Sequence, residues 1–258
     1  MMAGRVMVMV MVVIVVMSWM VFPVRAEHPS VLLVESTVFG NMMLAPGKMI
    51  SEDNDIYDTV NVTPPSICSC RTACWSSRRC VSAVVLETED DANNTVQCHL
   101  SEKVPMDSTF TDNPNATYIF WQESVQSVMY EMLEDNLLYL VLPQVSTRMA
   151  AKSDCEKIPG HRFALLKTDN HFQAVKKRMS GLDMTLWIDL LGFTNGDGVW
   201  GDGTSFSSSP ISVQEQIQVL GFLTGGPVLL NINFNFQIYT LQDALYPLCQ
   251  ANPFGQDW

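Results

Sequence analysis

Hydrophobic positions along this 258-residue chain fall into blocks of different period. The first block is unbroken, from Val6 to Met17 and on through Trp19 to Phe22. Val31 to Phe39 is apolar and β-branched and predicts a strand; an acidic, proline-containing loop is expected from there to Pro65. Cys70 and Cys74 are four apart, so a helix from Cys68 to Trp75 carries both on one face. Further strands are expected at Val81 to Leu86 and around Val96 to Leu100. Met129, Met132, Leu133 and Leu137 recur at spacings of three and four and predict a linker helix over residues 123–140. Two more helices are expected, one capped by Ser146 and carrying Met149, Ala150 and Cys155, the other capped by Asp169 and carrying Phe172, Val175 and Met179. Strands are expected at Arg162 to Leu166, Leu186 to Leu191 and Tyr246 to Cys249, with glycine turn signals on both sides of Trp200. From Val228 to Tyr239 the pattern alternates. Asn231, Asn233, Asn235 and Gln237 fall on one side, and Ile232, Phe234, Phe236 and Ile238 on the other, as in a strand with one amide-rich face.

Arg5 precedes the first apolar block, Pro23 ends it, and Val24-Arg25-Ala26 puts small residues where a signal peptidase reads. Residues 1–26 are therefore expected to be a secretory signal peptide cleaved after Ala26. Left uncut, the block is about long enough to anchor the chain, since a spanning helix needs ~20 residues. No later segment is as long and apolar, so the processed protein is expected to be secreted, extracellular and off the membrane.

The charge changes the list of partners. After residue 26 there are 13 basic and 27 acidic side chains, a net charge of −14. Glu27 to Leu140 carries 17 acids against 5 bases, and Val141 to Trp258 carries 10 against 8. Such a chain repels nucleic acid and anionic membrane, because phosphate binding needs clustered Lys and Arg. The runs Glu52-Asp53-Asn54-Asp55 and Glu89-Asp90-Asp91 lack the spacing and closing Glu of a calcium loop and read as solvated loops. His28, His99, His161 and His171 stand in no nucleophile or metal motif, and no phosphate loop or paired-acid motif occurs. The expectation is a protein that is not an enzyme and uses no cofactor or metal.

Seven cysteines divide the chain: Cys68, Cys70, Cys74, Cys80 and Cys98 cluster, while Cys155 and Cys249 stand far apart. In an oxidising compartment the cluster reads as a disulfide framework for a small domain. A zinc site is the competing reading, and no His-x-x-x-His follows to complete it. The odd number leaves one thiol unpaired or joined to another chain. Sequons at Asn61, Asn93 and Asn115 all lie in the first half and mark it as a glycoprotein surface.

Cys70-x-x-x-Cys74, Cys80 and Cys98 followed by His99-Leu100 resemble a PAN/apple domain over residues 27–122. The resemblance implies bridges Cys70–Cys98 and Cys74–Cys80, leaves Cys68 as the extra thiol, and implies binding of proteins or carbohydrates. Residues 141–258 resemble a C-type lectin-like domain, on Trp187-Ile188-Asp189-Leu190 where the family has Trp-Ile-Gly-Leu, on Trp200-Gly201-Asp202-Gly203, and on the order of two helices, strands and a closing cysteine. That resemblance implies a Cys155–Cys249 bridge and recognition of a glycan or protein. Three departures bear on function. Asp189 replaces glycine, the family's inner disulfide has no cysteines here, and Glu215 is the only acid between Gly203 and Tyr239. One carboxylate does not assemble a calcium site.

The fold class expected is thus α+β, in two small disulfide-linked domains. The function expected is a secreted recognition protein, in defence by analogy, binding glycan or protein ligands without calcium, with the amide face Asn231, Asn233, Asn235 and Gln237 as candidate contact surface. The alternative is a structural or assembly protein, disulfide-linked as a dimer through Cys68.

Overall fold

The computed structural model describes residues 28–38, 40–51, 55–87, 95–194, 197–210, 226–230, 236–238, 243–256 and 258. The signal peptide expected over residues 1–26 and the sequon at Asn93 lie outside them.

In the first half the chain forms β1 (Leu32–Val34), β2 (Met42–Ile50), β3 (Asp58–Val62), α1 (Ile67–Ser76), β4 (Ser82–Leu86), β5 (Val96–Ser101) and β6 (Phe110–Trp121). The strands make one antiparallel sheet in the order β1-β2-β6-β4-β5-β3. The region expected to be a loop up to Pro65 therefore contains β2 and β3. Pro46 has no N–H and Gly47 sits at φ 74°, so the β2–β6 register shifts there. Opposite the shift, β6 leaves Asn115 exposed. Asn61 is likewise exposed, on the edge strand β3.

Ser66 caps α1 by accepting from the Ser69 N–H at 3.1 Å. Cys70 and Cys74, one turn apart, face the sheet, where disulfides join Cys70 to Cys98 on β5 and Cys74 to Cys80. Cys68, on the outer side of the same helix, is an exposed free thiol.

The second half forms β7 (Met129–Met132), β8 (Leu138–Val141), α2 (Arg148–Glu156), β9 (His161–Phe163), α3 (Asp169–Met179), β10 (Leu186–Thr194), β11 (Asp197–Trp200), β12 (Pro227–Leu230), β13 (Phe236–Ile238) and β14 (Tyr246–Ala251). The order is β13-β12-β10-β14-β8-β7, with β11 paired to β10 and β9 to β14. β10 and β14 run parallel. A disulfide ties Cys155, on α2, to Cys249, on β14.

Two expectations are corrected here. Residues 123–140 are not a linker helix. They hold a short 3₁₀ turn and the antiparallel hairpin β7–β8. Asp135 and Asn136 make the turn: Asn136 takes φ 61°, and the Asp135 carboxylate accepts from the Leu137 N–H. Val228 to Tyr239 is not one strand either. β12 and β13 pair antiparallel, Val228 opposite Ile238 and Leu230 opposite Phe236. The helix caps also shift by one residue, from Ser146 to Thr147 and from Asp169 to Thr168.

The two halves are not separate cores. Alternation along the first sheet sends Met42, Leu44, Ala83, Val85 and Ile119 under α1, and Met43, Ala45, Val84, Tyr118 and Phe120 to the other side. That other side packs into one cluster with Leu138, Leu140, Ala151, Cys155, Trp187 and Cys249 of the second half. Tyr139, Val141, Ile188, Leu190 and Leu248 point the opposite way, onto Phe172 and Val175 of α3. Both sheets are thus covered on both faces. This explains why β4, β8 and β10 read as continuous apolar runs. A polar string crosses the seam: Asn41 donates to Gln122, Gln122 to the Tyr130 carbonyl, and the Tyr130 hydroxyl meets His161 Nε2 at 2.8 Å.

Candidate functional site

Polar side chains from distant stretches converge beside the first turn of α3. Thr168 Oγ1 accepts from the His171 N–H at 3.2 Å, a cap that fixes the start of the helix and turns the His171 ring inward. Lys167, Thr168 and His171 face Thr204 and Ser208 from the loop after β11, and Trp258 completes a cavity of about 380 Å³.

The loop is held from beneath. The Trp200 N–H donates to the Thr204 carbonyl at 2.9 Å and the Gly203 N–H to the Trp200 carbonyl at 2.8 Å, with Gly203 at φ 87°, where a side chain is disfavoured. The buried Trp200 indole donates to Ser209 Oγ at 2.8 Å. Asp202 accepts from the Thr204 N–H and hydroxyl at 3.0 and 2.7 Å and pairs with Lys167 at 2.7 Å. Burial opposes its ionisation, yet the hydrogen bonds from Lys167 and Thr204 outweigh that and hold its carboxyl at about 2.

A second polar cluster lies beneath, between α2 and β10. Asp189 takes the place that resembles the family's glycine. Its carboxylate meets Arg148 at 2.5 Å and Lys152 at 3.3 Å. Arg148 and Asp189 are 6 % and 5 % exposed. Gly201 donates its N–H to the Asp189 carbonyl at 2.8 Å, and a Cβ at Gly201 would overlap the Asp189 carboxylate. This pair is structural: it fastens the Trp200 turn to α2 and reaches no cavity described above.

His161 and His171 are both buried, and burial lowers each to about 4; the positive charges of Lys167 and Arg162 push His171 further the same way. The unfolded chain protonates its histidines near 6.5, so it binds more protons than the folded state between 6.5 and 4. Stability is then lost as pH falls through that window, by about 2 kcal/mol per ring at pH 5. Burial raises the Asp135 carboxyl and works in the opposite sense. A lower urea midpoint at pH 5 than at pH 7 is expected, with the difference reduced in His161→Gln. An unchanged difference in that variant would contradict the assignment to His161.

Of the residues singled out in the sequence, Asn231, Asn233 and Asn235 lie outside the described residues, and Gln237 falls on β13 opposite Leu229. The cavity beside α3 was missed: its lining is separated by up to 91 positions and carries no motif. Among the described residues no group of three or more His, Cys, Asp and Glu side chains comes together to hold a metal.

No family model and no curated protein matches the chain. Solved structures are similar to about half of it. The C-type lectin TC14 from the tunicate Polyandrocarpa misakiensis is 12 % identical, over 45 % of this chain and 98 % of its own, with a TM-score of 0.38. The carbohydrate-recognition domain of the human scavenger receptor C-type lectin is 21 % identical, over 48 % and 95 %, with a TM-score of 0.38. The natural killer cell receptor Ly49C is 15 % identical, over 48 % and 89 %, with a TM-score of 0.37. The chain's own topology, rather than these partial similarities, supports the reading that follows.

Proposed function

We propose that this is an extracellular recognition protein in which a C-type lectin-like half, joined through a shared core to a PAN/apple-like half, binds a glycan or protein without calcium. The observation that carries the reading is the closure of α2 onto β14 by Cys155–Cys249, over a sheet in which β10 runs parallel to β14 and the Trp200 turn folds back on β10. That is the arrangement the lectin-like sequence blocks imply.

Three disulfides and two exposed sequons, Asn61 and Asn115, support an oxidising, extracellular setting. No helix of the described residues is long and apolar enough to cross a membrane. Calcium independence is supported by chemistry. Calcium takes six to eight oxygens, and Glu215 is the only carboxylate between Gly203 and Tyr239.

Binding to a glycan array is the test. Signal is expected, and it is expected to persist in EDTA; signal lost in EDTA would overturn the calcium argument. The exposed thiol of Cys68 favours the assembly reading as the second choice. A dark array, together with a non-reducing dimer that Cys68→Ser dissolves, would put that reading first.

A further inference from the structure

We propose that the cavity beside α3 binds a carboxylated sugar, its acid group held at the Lys167–His171 end and its hydroxyls on the Thr204–Ser208 rim. This rests on the recognition reading above and adds to it a place and a ligand class.

Size and wall come first. At about 380 Å³ the cavity lies within the range of small-ligand sites. Trp258 gives it an aromatic wall, and Arg162 steadies the indole by stacking 3.6 Å from the ring centroid. Aromatic surface suits the apolar face of a sugar ring.

Polarity divides the cavity into two ends. Thr204 and Ser208 spend their hydroxyl protons on the Asp202 carboxylate and the Ser205 carbonyl, at 2.7 and 2.8 Å. What they offer a ligand is oxygen lone pairs, which accept from sugar hydroxyls. The other end donates. Lys167 has three N–H donors and its ion pair with Asp202 uses one. The first turn of α3, an eleven-residue helix, adds the positive end of its dipole.

His171 stands at this end of the cavity as well. It is 7 % exposed, lines the cavity, and its enclosed Nδ1 has no hydrogen-bond partner. A buried N–H without an acceptor is rarer than a buried acceptor without a donor, so the neutral ring keeps its proton on Nε2, ready to donate. Among the described residues the lining holds one cation, Lys167, paired with Asp202 beside it, and no carboxylate of its own, in a chain with 27 acids and 15 bases. A local donor-rich end in so acidic a protein selects an anion. The acceptor rim beside it selects one that carries hydroxyls.

The test uses the full-length processed protein with methyl β-glucuronide and a methyl sialoside as acid probes, and methyl β-glucoside and acetate as controls. Imidazole signals are followed by NMR. At least one acid sugar is expected to bind about tenfold tighter than both controls, the margin of one charge-assisted hydrogen bond. It should shift the His171 ring signals and raise the pH at which that ring titrates. Ser208→Ala, on an exposed position, should weaken binding about tenfold with the melting curve kept. Equal binding of glucoside removes the acid preference; equal binding of acetate removes the sugar; no binding by either acid overturns the site. Array signal that survives His171→Ala would leave recognition standing and this cavity refuted, whereas a dark array would remove the glycan reading and leave a protein ligand or assembly.

Discussion

Asp189→Ala is expected to destabilise the protein by about 3–5 kcal/mol, the cost of leaving a buried charge without its partner. The charge left behind is Arg148. Its guanidinium is enclosed between α2 and β10, sits 5.6 Å from the Phe163 ring, and has an Nε with no hydrogen-bond partner. Burial already lowers its affinity for the proton, and the Asp189 carboxylate is what opposes that effect. Lys152, the second partner, is 39 % exposed and can turn to water, so its ion pair adds little. The double variant Arg148→Met, Asp189→Ala is expected to cost clearly less than the sum of the single changes, because the uncompensated charge is gone. Urea unfolding of the three variants measures this. A loss below about 1 kcal/mol in Asp189→Ala would mean that water reaches the guanidinium.

The same residue shows what a sequence reveals and what it hides. Asp189 stood out as a departure inside an apolar block, and the block itself was legible as a buried strand. Its partner, 41 positions away on α2, was not, since no local period links the two. The helices α1, α2 and α3 were legible from cysteine or apolar spacing, with the caps of α2 and α3 read one residue off. The hairpin β7–β8 was misread as a helix because Met129, Met132 and Leu133 mimic helical spacing, and the Asp135-Asn136 turn was given no weight. β2 was missed because Pro46-Gly47 interrupts it, and β6 because Asn113-Pro114-Asn115 does. The shared layer between the halves was beyond reach. Both faces of β2, β4 and β6 are apolar, which says that something covers each face but not what. The cavity beside α3 had no sequence signature, since it is assembled from a helix start, a loop and Trp258 by the closing of the sheet.

The shared layer makes the Cys155–Cys249 bridge the most consequential covalent bond in the chain. Replacing both cysteines by alanine is expected to cost about 4–5 kcal/mol, since the entropy gained by the unfolded chain grows with the 94 residues the bridge spans. The melting temperature should fall on the order of 10–15 °C. Removing Cys74–Cys80, which spans 6 residues, should cost only about 2 kcal/mol. The difference also has a packing side. Cys155 and Cys249 are fully buried in the cluster that holds Phe120, Tyr118 and Met43 of the first sheet against α2. Loosening α2 therefore exposes the inner face of the first sheet as well, and both halves should melt in one transition at the lower temperature. Calorimetry decides between this and the alternative. Two separated transitions in the double-alanine variant, the upper at the temperature of the parent protein, would mean that the first half is stable alone and that the layer between the halves is a contact rather than a core.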